Sequence, residues 1–131
     1  MAHRLSRNVL VASSITATID LVIGLAFLLG PEMGITLWPS PISPVLMRFI
    51  GSIILANGVG AALMVRQGTW EGARVLFMVA LVYGVVILIA LLYHLLFLEG
   101  TNPVFWGYVA LDAVFLVPIA YIYWTQERVR S

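Results

Sequence analysis

The chain has 131 residues, 62% of them hydrophobic and 10% charged, with a net charge of +1 at pH 7 and no cysteine. Soluble domains are about 45–50% apolar and about 25% charged, so a water-soluble monomer of this length would lack the polar surface to cover its core. This balance excludes a soluble enzyme, a disordered tail and a nucleic-acid binder, and the lack of cysteine excludes disulfides, iron–sulfur clusters and thiolate zinc sites.

A membrane helix needs about 20 mostly apolar residues to cross about 30 Å of hydrocarbon. Four stretches meet this in chain order: 9–29, 45–65, 75–98 and 104–124. An open sheet would leave backbone groups unpaired in lipid, so the expected fold is all-α, a single membrane domain built as a four-transmembrane-helix bundle. The first span follows Arg4 and Arg7, as in a signal peptide. It is long, however, carries Ser13, Ser14, Thr16, Thr18 and Asp20, and has no small-residue cleavage site after it. It is read as retained.

The seven basic residues are all arginine and set the orientation. Arg4 and Arg7 precede the first span, Arg66 and Arg74 flank the connection between the second and third, and Arg128 and Arg130 follow the fourth. The connections 30–44 and 99–103 have no basic residue. The positive-inside rule then places both termini in the cytoplasm, with the bilayer as the cell inner membrane. The tryptophans fit this as interface anchors, Trp38 and Trp106 at the outer boundary and Trp70 and Trp124 at the inner one. The stretch 30–44 carries Pro31, Pro39, Pro41 and Pro44 and is expected not to form a regular helix. It reads as an apolar interfacial turn centred on 35–38 and anchored by Trp38, in preference to a lid over a cavity.

Ionisable groups inside a span cost about 2.5–3.5 kcal/mol or more near its centre. Four such groups occur: Asp20, Arg48, His94 and Asp112. At about 1.5 Å rise per residue, Asp20 lies about 15 Å and Asp112 about 12 Å below the outer edge, and Arg48 and His94 about 6 Å below it. Arg48 could therefore reach either aspartate if its helix faces theirs. The cluster reads either as a buried proton or substrate site or as an interhelical ion pair, and the ion pair is preferred. In the first span Ser13, Thr16, Ala17, Asp20 and Gly24 form one small, polar stripe that must face protein. In the fourth, Tyr108, Asp112 and Phe115 share a face, with a kink expected at Pro118.

The second span is the expected close-packing element. Ala56 with Gly60, and Gly58 with Ala62, make small-xxx-small pairs, and Asn57 lies about half a turn from Arg48 on the helical wheel. One of these two polar residues then points into the bundle and the other toward a second copy or a partner. His94, within the run 90–97, could ligate a haem or a chlorophyll-type pigment. Its only companion, His3, is on the cytoplasmic side, and hydrogen bonding to a carbonyl or carboxylate is the preferred role. No catalytic constellation, phosphate-binding glycine loop or metal motif is present, so no enzyme, metal or cofactor is expected.

Arg48-Phe49-Ile50-Gly51, followed by Gly58 and then Arg66 after the span, resembles small uncharacterised bacterial four-helix membrane proteins with an Arg-x-x-Gly second helix, and more distantly the DoxX-like proteins. The resemblance implies a packing role for Arg48 and Gly51 and carries no reaction with it. Three functions are consistent with the residues. The first is a non-catalytic accessory or assembly subunit of a larger bacterial inner-membrane complex, respiratory or photosynthetic in type. The second is a small oligomeric proton-coupled carrier or binder using Asp20, Arg48 and Asp112. The third is a quinone- or tetrapyrrole-binding helper using His94 with Tyr83, Tyr93 and Trp106. The expected partners are the lipid bilayer and other membrane subunits or a second copy.

Overall fold

The computed structural model describes residues 3–98 and 102–130, without the side chain of Arg130. It is all-α, with α1 Arg7–Leu29, α2 Pro31–Leu37, α3 Pro44–Gln67, α4 Trp70–Phe97 and α5 Phe105–Arg130. Four of the helices are long and apolar enough to cross a membrane. At 23, 24, 28 and 26 residues, each exceeds the hydrocarbon thickness at about 1.5 Å per residue. The chain is a multi-pass helical membrane protein. Its contacts divide it into two compact units, Met1–Gly72 and Ala73–Ser131.

Local chemistry sets the helix ends. Ser6 caps α1 by accepting from the Val9 N–H at 3.4 Å, and Ser43 caps α3 by accepting from the Leu46 N–H at 3.3 Å, with Pro44 as the first helical residue. Gly68 closes α3 in the left-handed conformation at φ 64°, its N–H bonding to the Met64 carbonyl at 2.9 Å. Thr69 then accepts from the Gly72 N–H at 3.4 Å in the first turn of α4. That turn starts several residues before the expected 75, because hydropathy does not register a polar, capped helix start.

One expectation about the 30–44 connection is corrected. Its first half is the helix Pro31–Leu37. Pro31 stands at the start of α2, where a missing N–H is harmless and the fixed φ suits a helix. The later prolines keep the remainder extended. Pro31 and Met47 are fully buried, and Gly34 sits directly on the Met47 side chain, which seats α2 against α3. Residues 99–101 of the last connection lie outside the described residues.

Within the first unit, α1 and α3 pack antiparallel at backbone distance. A Cβ placed on Gly24 would come within 2.5 Å of the Leu55 nitrogen, one on Gly51 within 2.8 Å of the Leu28 nitrogen, and one on Gly58 within 2.8 Å of the Leu21 nitrogen. As the α3 number rises the α1 number falls. The buried residues of α3 are Met47, Gly51, Gly58, Ala61 and Met64, a three- and four-residue repeat on one face. The same end of this pair carries a short strap. The Leu5 N–H donates to the Gly68 carbonyl at 3.0 Å and the Trp70 N–H to the His3 carbonyl at 2.7 Å, with Arg4 bridged antiparallel to Thr69.

Within the second unit, Gly84 is buried against Leu116, whose Cδ1 would be 2.8 Å from an added Cβ. Arg74 Nε lies 2.8 Å from Glu127 Oε1. These two contacts make α4 and α5 antiparallel. α5 runs through Pro118 as a helix; the carbonyl one turn earlier loses its intrahelical donor there.

Candidate functional site

The small, polar stripe of α1 faces α3, as its composition requires. Ala17 and Gly24 are buried, and Ser13, Thr16 and Asp20 are half-buried. The remaining hydroxyls are satisfied by their own helices: Ser14 donates to the Leu10 carbonyl at 2.8 Å, Thr18 to Ser14 at 2.9 Å and Ser52 to Arg48 at 2.9 Å. A hydroxyl bonded in this way can face lipid without leaving a polar group unpaired.

Asp20 and Arg48 are not brought together. The Asp20 backbone lies beside Gly58, while Arg48 is about ten residues, or about 15 Å, further along α3. Gly51 already faces Phe27 and Leu28 near the end of α1, so Arg48 falls beyond the reach of Asp20. Of the two aspartates that Arg48 was expected to reach, Asp20 is therefore not its partner. Arg48 is exposed, and neither it nor Asp20 forms an ion pair or side-chain hydrogen bond among the described residues. Asn57 is also exposed and has no side-chain partner among them.

The small residues of α3 divide into two sets. Gly51 and Gly58 lie in the α1–α3 seam. Ala56 and Ala62 are exposed and Gly60 is half-exposed, off that seam. Sequence motifs alone do not reveal this phase, because pairs four apart occur on more than one face of the helix.

Asp112 and His94 belong to the second unit. Asp112 sits opposite Gly84, where an added Cβ would be 3.7 Å from its Oδ1; its Oδ2 is enclosed without a hydrogen-bond partner among the described residues. His94 is exposed near the end of α4, and its Nδ1 lies 3.0 Å from the Ala90 carbonyl. A carbonyl only accepts, so Nδ1 carries the proton in this contact. Tyr93 meets the His94 ring edge-on at 6.1 Å between centroids. Tyr83 and Ala90, eleven and four residues before His94 and so on the same face of α4, are exposed as well. Among the described residues no group of three His, Asp or Glu side chains could hold a metal ion.

The four tryptophans separate by burial. Trp106 is 49% and Trp124 54% exposed, and the Arg128 guanidinium lies 3.6 Å over the Trp124 ring. Trp38 is half-buried. Trp70 is fully buried, which corrects its expected role as an interface anchor. Its backbone N–H is paired with the His3 carbonyl of the strap. That pairing joins residues far apart in sequence, and no local signal announces it. No family model, curated protein or solved structure matches this chain.

Proposed function

We propose that this chain is a non-catalytic accessory or assembly subunit of a larger inner-membrane complex of bacterial type, with both termini cytoplasmic. The observation that carries the reading is the placement of Arg48 and Asn57. Both are on a membrane-spanning helix, outside its seam with α1, exposed, and without a side-chain partner among the described residues. A charge left unpaired in lipid costs about 2.5–3.5 kcal/mol or more. A polar group on another membrane-embedded chain offsets that cost, and exposed Ala56 and Ala62 allow a neighbouring helix to come close.

The arginine distribution supports the orientation. The strap holds Arg4 near the α3–α4 turn, and Arg66 closes the last turn of α3, so the basic residues of this unit collect at one end of α1 and α3 apart from Arg48. The resemblance carried by Arg48 and Gly51 remains part of the proposal, with Gly51 in the seam and Arg48 directed outward.

The test is a photo-crosslinking residue placed at position 57, with a photoreactive methionine analogue at the buried position 64 as the control, in cells that make the protein naturally. The reading expects a crosslink from position 57 to a different membrane polypeptide and none from position 64. A crosslink from 57 only to a second copy would contradict it. That result would favour the carrier or binder reading, which the unpartnered Asp112 Oδ2 supports.

A further inference from the structure

The Met1–Gly72 unit contains a cleft that neither the α1–α3 seam nor the outward face of α3 uses. It is open, about 440 Å³ in volume, and lies where the strap meets the start of α1 and the end of α3. Arg4, Arg7, Gln67 and Thr69 form its polar wall, and Leu5 and Leu10 its apolar one. We propose that this cleft binds the phosphate of an anionic phospholipid headgroup.

Four features of the cleft suit that ligand. The Arg4 and Arg7 side chains are exposed and make no ion pair among the described residues, so two guanidinium forks are available to phosphate oxygens. Arg7 is also the first residue of α1, where the helix dipole favours an anion and, with the Val9 N–H taken by Ser6, the N–H groups of Arg7 and Asn8 lack intrahelical acceptors. The Thr69 oxygen accepts the Gly72 N–H, which leaves its hydroxyl hydrogen able to donate outward. The neighbouring Glu71 carboxylate accepts the His3 N–H at 3.2 and 3.3 Å and does not line the cleft.

Position argues for a lipid source over free phosphate. The cleft is level with the ends of two apolar spans, the depth at which headgroups lie, and Leu5 and Leu10 offer an apolar wall to the glycerol and first methylenes. Arg4 on the strap and Arg7 on the first turn of α1 line one cleft together, which distinguishes them from a diffuse basic surface. Arg66, exposed nearby but outside the cleft, supplies the comparison.

The experiment uses the full chain in an uncharged detergent, titrated with short-chain phosphatidylglycerol, with phosphatidylcholine of equal chain length, and with inorganic phosphate. The readout is the saturable rise in the thermal unfolding midpoint. Phosphatidylglycerol is expected to raise it and phosphatidylcholine not to. Arg4→Gln and Arg7→Gln are each expected to weaken the apparent affinity about tenfold, and Arg66→Gln by less than about twofold. If an arginine variant fails to fold, Gln67→Leu reports on the same cleft and should weaken binding severalfold. An equal response to inorganic phosphate would overturn the lipid source. Loss of affinity in Arg66→Gln matching that in Arg7→Gln, or no preference for phosphatidylglycerol over phosphatidylcholine, would overturn the site.

Discussion

Gly58 of α3 stands against the α1 backbone at Leu21, so closely that a Cβ there would lie 2.8 Å from the Leu21 nitrogen. This is backbone-to-backbone packing of the kind that holds membrane helices where lipid supplies no hydrophobic drive between them. With Gly51 and Gly24, it makes α1 and α3 the tightly joined pair of the first unit.

Gly58→Ala should therefore destabilise the protein by about 1–3 kcal/mol, as overpacking does where a backbone atom must move. Gly107 in α5 is the counterpart, since a Cβ there meets nothing within 4 Å. Gly107→Ala should be neutral or stabilising by up to about 1 kcal/mol, through helix propensity. Unfolding in mixed detergent measures both, and an equal response at the two positions would contradict the seam.

Met47 is fully buried under Gly34 of α2. Met47→Ala should cost about 2–5 kcal/mol and loosen α2 first. Hydrogen exchange of residues 31–37 checks this, with faster exchange expected there than in α1.

Trp70 and Trp106 should respond differently to truncation. Trp70→Ala empties a fully buried position and should cost about 3–5 kcal/mol. Trp106→Ala removes a half-exposed ring and should cost much less. Equal losses in thermal stability would return Trp70 to the role of interface anchor.

The Arg74–Glu127 pair spans α4 and α5 at 2.8 Å, with side chains 40% and 28% exposed. Partly solvated pairs are worth about 0–1 kcal/mol. Arg74→Gln should accordingly shift stability by less than about 1 kcal/mol, measured as above, and by less still at high salt.

The four spans were legible in the sequence because length and apolarity are sufficient to define them. The expected 9–29, 45–65, 75–98 and 104–124 fall on α1, α3, α4 and α5, with differences concentrated at capped or interfacial ends such as Trp70. The helix α2 was hidden by four prolines, although Pro31 is where a helix begins well. The polar stripe of α1 was legible because its period requires one face. The phase of α3 was not, because small residues recur on several of its faces and only contact with α1 selects Gly51 and Gly58. The strap from His3 to Leu5 joins residues remote in sequence and leaves no periodic trace.

The most direct test of the proposed role is gentle extraction of the protein from its native membrane, followed by native gel separation and mass spectrometry of the band that contains it. The account predicts migration within a larger assembly containing other membrane subunits, and loss of that assembly in Arg48→Leu with Asn57→Leu while the chain still folds. Wild-type migration as a lone monomer or homo-oligomer would contradict it.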